Sequence, residues 1–94
     1  MSFDIIRTLI VSIGHLTRED LDLIPEHIEF VVEYDRYIVL VKEAMSRKDE
    51  LSKIGLSEGF TKSVLMAWAL GCERVEFSYD GKTIEEIPVY LTLE

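Results

Sequence analysis

The side chains of this sequence best suited to chemistry are Ser12, His15 and Cys72. A histidine that reaches a hydroxyl or a thiol can serve as its general base, and a strand end is a place where such pairs occur. His15 stands in "SIGHLTRED", Ser12 to Asp20, where an apolar run ends, Gly14 breaks it and an acidic cluster begins. The same stretch also reads as architecture. Thr17 and Asp20 have the spacing of a helix cap, Leu16 beside them acts as a staple, and the His15 ring would fix the strand-to-helix turn through a backbone hydrogen bond. The turn chemistry favours architecture, so no catalytic residue is assigned. A small enzyme using His15 with Ser12 or Cys72 stays as an alternative.

Other groups offer less. His27 has Glu26 and Glu29 nearby, but close neighbours on an extended segment point to opposite faces, and a metal needs three or more converging ligands. Cys72 follows a helix stop in an apolar context, the setting of a buried, inert thiol. "GLSEGF" lacks the lysine and the glycine spacing of a phosphate loop. No metal and no cofactor are expected, and Glu85-Glu86 and Asp49-Glu50 read as solvated pairs.

The charge is more informative. The 94 residues carry a formal charge of -8, with a pI near 4.7. Binding to phosphates rests on Lys and Arg displacing counterions, so direct nucleic-acid contact is not expected and a protein with a basic surface is the better match. Seven acids, Glu19, Asp20, Asp22, Glu26, Glu29, Glu33 and Asp35, fall in a segment with no Lys or Arg, while the rest of the chain is nearly neutral. These seven form the candidate partner-binding surface. The competing reading is a solubilising face that complements a helix dipole and guards a sheet edge.

Positioning these groups requires a fold of one domain, since a chain this size buries roughly two-thirds of its unfolded surface. The composition, 48% hydrophobic and 30% charged, belongs to a real core with surplus apolar surface. A single cysteine and an N-terminus, "MSFDII", without a basic, apolar or cleavage region point to the cytoplasm, and no run approaches the ~20 residues of a membrane span.

"DIIRTLIVSI" is apolar on both alternating sets and predicts a central strand; a helix should run from Arg18 to Ile24, before Pro25. Two strands of a hairpin follow, split at Tyr34-Asp35-Arg36, the first with one wet face and the second apolar on both. Ala44 to Gly55 reads as a loop with a short helical turn. Ser57 caps the main helix, which carries one stripe of Phe60, Val64, Ala67 and Trp68, a second of Leu65, Met66, Ala69 and Leu70, and almost no polar face beyond Ser63. A last strand around Val75, Phe77 and Tyr79 leads to Asp80-Gly81, a hairpin-turn signal, then a returning segment and an extended tail or strand from Val89.

That order predicts an α+β two-layer sandwich of the split βαβ, ferredoxin-like plan, βαββαβ. Its antiparallel sheet would have the first and third strands in the middle and two helices on one face. The other face would then expose Ile6, Ile10, Ile38 and Leu40, an apolar interface for a homodimer or a target protein.

The segments "VSIGHLTRED" and "LSEGFTKSVLMAWALGCERVEFSYDGKTIEEIPVY" resemble an uncharacterised family of short proteins carried by bacterial plasmids, integrative elements and phages. Ser12, His15, Leu16 and Thr17 carry the first motif, Leu56, Ser57, Gly71 and Cys72 the second, and Asp80, Gly81, Ile87, Pro88 and Tyr90 the third. The "YLTLE" ending departs from the short aromatic and acidic tail of that family. The resemblance implies a mobile-element setting and no site residues. The function expected is that of a non-enzymatic acidic binding protein, in its most concrete form an inhibitor of a host defence nuclease acting by protein contact in the host cytoplasm. The alternative is a homodimeric accessory domain.

Overall fold

The computed structural model describes residues 6–28, 30–33 and 36–90. Strand β1 (Thr8–Ser12) passes through a 3₁₀ turn (Ile13–His15) into helix α1 (Arg18–His27). Strands β2 (Phe30–Glu33) and β3 (Arg36–Leu40) follow. Then come helices α2 (Val41–Ser46), α3 (Lys48–Lys53) and α4 (Glu58–Ala69), and finally β4 (Arg74–Ser78).

The local rules explain the helix starts. The Thr17 hydroxyl accepts the Asp20 N–H at 3.0 Å and the Asp20 carboxylate accepts the Thr17 N–H at 2.9 Å, a reciprocal cap that satisfies two orphan donors. At α4 the Ser57 hydroxyl accepts the Phe60 N–H at 3.2 Å. Helix α1 continues past Ile24 through Pro25. Proline there removes only one donor, in the last turn, and the Ile28 N–H still reaches the Ile24 carbonyl at 2.9 Å. The expected loop from Ala44 to Gly55 is instead two short helices, and Gly55 ends the second at a φ of 109° that glycine adopts without strain.

The class is α+β, with a four-stranded sheet in the order β1-β4-β3-β2. Strand β1 pairs in parallel with β4, while β4 with β3 and β3 with β2 are antiparallel. The split βαβ plan therefore does not describe the sheet: β1 lies at an edge and β4 in the centre, and the sheet is mixed. Alternation of polar and apolar residues reports which face of a strand is wet, not which neighbours it has. Arg74 and Glu76 made β4 look like an edge strand, yet Glu76 is buried on the face away from the core, with the Arg36 guanidinium at 3.7 Å.

The core side of the sheet is formed by Val11, Val39, Val75 and Phe77, all fully buried. Against it pack Ile24, Leu51, Phe60, Val64 and Ala67 from the helices, with the Phe60 and Phe77 rings stacked at 6.0 Å. Each such aromatic contributes about 1.5–3 kcal/mol by leaving water.

Beyond β4 the Asp80-Gly81 turn closes with the Gly81 N–H on the Ser78 carbonyl at 3.1 Å, but no returning strand pairs with β4. Residues 81–90 instead run as a strap without regular secondary structure past the end of β1, where the Lys82 carbonyl accepts the Ser12 N–H at 3.0 Å. Both edges of β4 are already taken, by β1 and β3, so a returning segment has no edge there to join; Gly81 packs so near the Val11 carbonyl that a Cβ would collide with it. The tail beyond Tyr90 lies outside the described residues.

Candidate functional site

At the end of the sheet where β1 and β4 finish, residues from all three sequence motifs converge, while Gly71 and Cys72 of the second motif lie at the opposite end. The His15 side chain is fully buried. Its Nδ1 lies 2.9 Å from the Pro88 carbonyl, which can only accept, so Nδ1 carries the proton. Its Nε2 lies 2.9 Å from the Ile84 N–H, which can only donate, so Nε2 offers a lone pair. These partners assign the neutral Nδ1–H tautomer, with both nitrogens committed to the strap backbone. Ser12 is committed as well, its hydroxyl accepting the Gly14 N–H at 3.0 Å.

Asp20 does more than close its own cap. Its carboxylate accepts the Ser57 N–H at 2.8 Å and also the Ser57 hydroxyl, which itself receives the Phe60 N–H. One buried carboxylate thus joins the start of α1 to the start of α4. Tyr90 completes the arrangement: its N–H donates to the Gly14 carbonyl at 2.7 Å and its hydroxyl accepts the Gly59 N–H at 3.2 Å. Gly59 allows this approach because a Cβ would strike the His15 carbonyl. Among the described residues no buried side-chain nitrogen or oxygen lacks a partner. The polar groups that looked reactive hold backbone together, and His15 is not paired with Ser12 or Cys72.

The opposite end, where β1 and β4 begin, differs in kind. Leu40, Lys42, Glu43, Ser46, Trp68 and Cys72, with Gly71 and Glu73, line a groove of about 850 Å³ whose wall is mostly apolar. Trp68 is 54% exposed and Leu70 56%, and Leu65, one turn before Trp68 on α4, is exposed too. Only the first stripe of α4 is buried in the core, apart from Trp68; in the second, Met66 is half-buried and Leu65, Ala69 and Leu70 face solvent. Reading Trp68 with the core stripe missed this surface. The signal was present in the near absence of polar residues after Ser63, which leaves more apolar surface than one contact face requires.

The remaining expected site residues are dispersed. Glu19, Asp22 and Glu26 are exposed and, at i, i+3 and i+7, share a face of α1. Asp20 is buried and leaves the acidic surface, because its carboxylate serves the two caps. Glu29 and Asp35 lie outside the described residues, as does the side chain of Glu33. Ile6 and Ile10 are exposed and Ile38 is half-buried, but the register places Glu76 between Ile10 and Ile38, so the open sheet face is not one apolar surface. Leu40 belongs to the groove. His27 lies 3.9 Å from Glu26, and its carbonyl accepts from Arg47. Among the described residues no group of three His, Cys, Asp or Glu side chains is placed to hold a metal ion, and no helix is long and apolar enough to cross a membrane.

Residues 8–91, from the first residue of β1 through the strap, match a family described as "Family of unknown function (DUF5983) C-terminal domain". The chain belongs to this family. The match to DUF5983 covers both ends of the sheet, the buried polar arrangement and the groove alike. No curated protein and no solved structure matches the chain.

Proposed function

We propose that this DUF5983 domain is a non-enzymatic binding protein that acts by occupying a surface on another protein. The observation that carries the reading is the apolar end of the molecule, where Trp68 and Leu70 stand more than half exposed beside a groove. Exposed apolar clusters of this kind mark contact sites, and tryptophan is enriched among residues that dominate binding energy. Base-assisted nucleophilic chemistry at His15 has little support, because both ring nitrogens are engaged by backbone.

The more specific reading is an inhibitor of a host defence nuclease, encoded by a phage or other mobile element and working in the host cytoplasm. Its support is electrostatic. The net charge of -8 and the acidic face of α1, with Glu19, Asp22 and Glu26, suit a basic groove that otherwise holds nucleic acid. The test compares capture from host lysate by the wild-type protein, a Trp68→Ser/Leu70→Ser variant and a Glu19→Lys/Asp22→Lys/Glu26→Lys variant. A partner held by the first and lost by either variant supports the reading and says which surface is used. Identical returns from all three remove it.

A second reading, a homodimeric accessory domain, is favoured by the same apolar groove. Light scattering at low and high salt distinguishes it: a dimer that persists in high salt and dissociates in the Trp68→Ser/Leu70→Ser variant places the contact in that groove.

A further inference from the structure

We propose that His15 is an acid-sensitive latch, and that protonation of its Nε2 releases the strap of residues 82–90 while the sheet stays folded. The imidazole grips the strap at Ile84 and Pro88, one contact requiring a donor and the other an acceptor. A proton added at Nε2 turns the acceptor into a donor that faces the Ile84 N–H. Two hydrogens then oppose each other against a fully buried ring, and the half-buried Ile84 amide loses its partner.

Among the described residues, no nearby carboxylate is bonded to the imidazole to offset the new charge. On the strap, Lys82, Glu85 and Glu86 are exposed, as is Asp80 before it, and the Tyr90 hydroxyl is engaged by the Gly59 N–H. On α1 the Asp20 carboxylate is occupied by Thr17 and Ser57. Glu58 of α4 is paired with Lys62 at 3.1 Å, and Glu76 of β4 with Arg36 on the other face of the sheet. None of them bonds the imidazole, whose two partners are both backbone groups.

The strap can leave without dismantling the sheet, because the ladder of β1 runs to β4 and not to the strap. Among the described residues, the strap is also held by the Ser12–Lys82, Tyr90–Gly14 and Gly59–Tyr90 hydrogen bonds, by the buried Ile87 side chain and by Ile84, which packs against the core. Opening exposes the turn at Gly14 and the first amides of α4, a surface the closed molecule hides.

The test is amide hydrogen exchange by NMR on the full chain between about pH 7.5 and pH 5, the range in which imidazoles take up protons. Below about pH 6.5, where an opened imidazole is protonated, one proton coupled to opening lowers the protection factors of Ile84 and Tyr90 by up to about tenfold per pH unit, and above it they level off. Those of Val75 and Phe77 stay level. In His15→Gln, whose amide offers a donor and an acceptor that do not titrate, the pH dependence disappears, whereas in His27→Gln it persists. If the glutamine variant does not fold, the ring resonances of His15 in the wild-type protein decide, since strap opening must follow their titration. Strap protection that is independent of pH, that falls together with Val75 and Phe77, or that does not track the His15 ring overturns the proposal.

Discussion

The two ends of α4 stand about 18 Å apart along its twelve residues and face opposite problems. At its start, the buried Asp20 carboxylate takes the Ser57 donors, the Tyr90 hydroxyl takes the Gly59 N–H, and the buried His15 ring holds the Ile84 and Pro88 backbone. At its end, Trp68 and Leu70 meet solvent beside a mostly apolar groove. The end rich in histidine, serine, aspartate and glycine draws attention as a site, yet its groups are consumed in holding chain to chain. The plain end has surface to offer. In a domain this small, a dense motif can record what the fold requires, and the contact surface then lies where the residues look ordinary.

The sharpest way to break this contrast is Asp20→Ala. It strips an acceptor from the Thr17 N–H, the Ser57 N–H and the Ser57 hydroxyl together, and should cost about 4 kcal/mol in urea unfolding. A loss below about 1 kcal/mol would mean the polar end is not a structural unit. Gly59→Ala should cost about 3 kcal/mol, because the new Cβ meets the His15 carbonyl, which is backbone and cannot swing aside. At the other end, Trp68→Ser and Leu70→Ser should each change stability by no more than about 0.5 kcal/mol in the same assay. They should nonetheless weaken partner or self-association about tenfold or more, measured by light scattering or capture.

The smallest effect lies on the surface between the two ends. The Arg47 guanidinium donates to Glu50 at 3.1 and 3.2 Å and holds its carboxyl below the usual range. A depressed carboxyl favours the fold above that range and ceases to do so as the pH falls through it. Arg47→Gln should let Glu50 titrate at its ordinary, higher pH, read from its side-chain carbonyl resonance; the exposed ion pair adds little to the melt, and any drop reports the lost Arg47 bond to the His27 carbonyl.

Features decided within a turn of chain were legible in the sequence. The caps at Thr17 and Ser57 and the start of α4 follow from residues three apart. Features decided by distant partners were not. Asp20 satisfied the capping rule completely, so nothing local announced that its second partner, Ser57, lies 37 residues away. Asp80-Gly81 has the composition of a hairpin turn, but both edges of β4 are filled by β1 and β3, so the chain after it has no strand to pair with there. The β-branched run through Val41 reads as strand, while α2 begins there because burying Val41 and Ala44 in the core outweighs local preference. The strand order was the largest miss, since polar alternation is the same for a central and an edge strand when one face of the sheet is wet.

The bonds between the two ends of the chain also bear on how the molecule is made. His15 waits for Pro88, 73 residues later, and β1 has its ladder partner only once β4 exists. During synthesis the first strand therefore leaves the ribosome long before anything can pair with it, carrying the exposed edge of Ile6 and Ile10. Helices α1 and α4 can form as they emerge, but the sheet closes only once β4 has been made. A ribosome stalled a few codons before Pro88 would therefore hold β1 and its turn still unlatched.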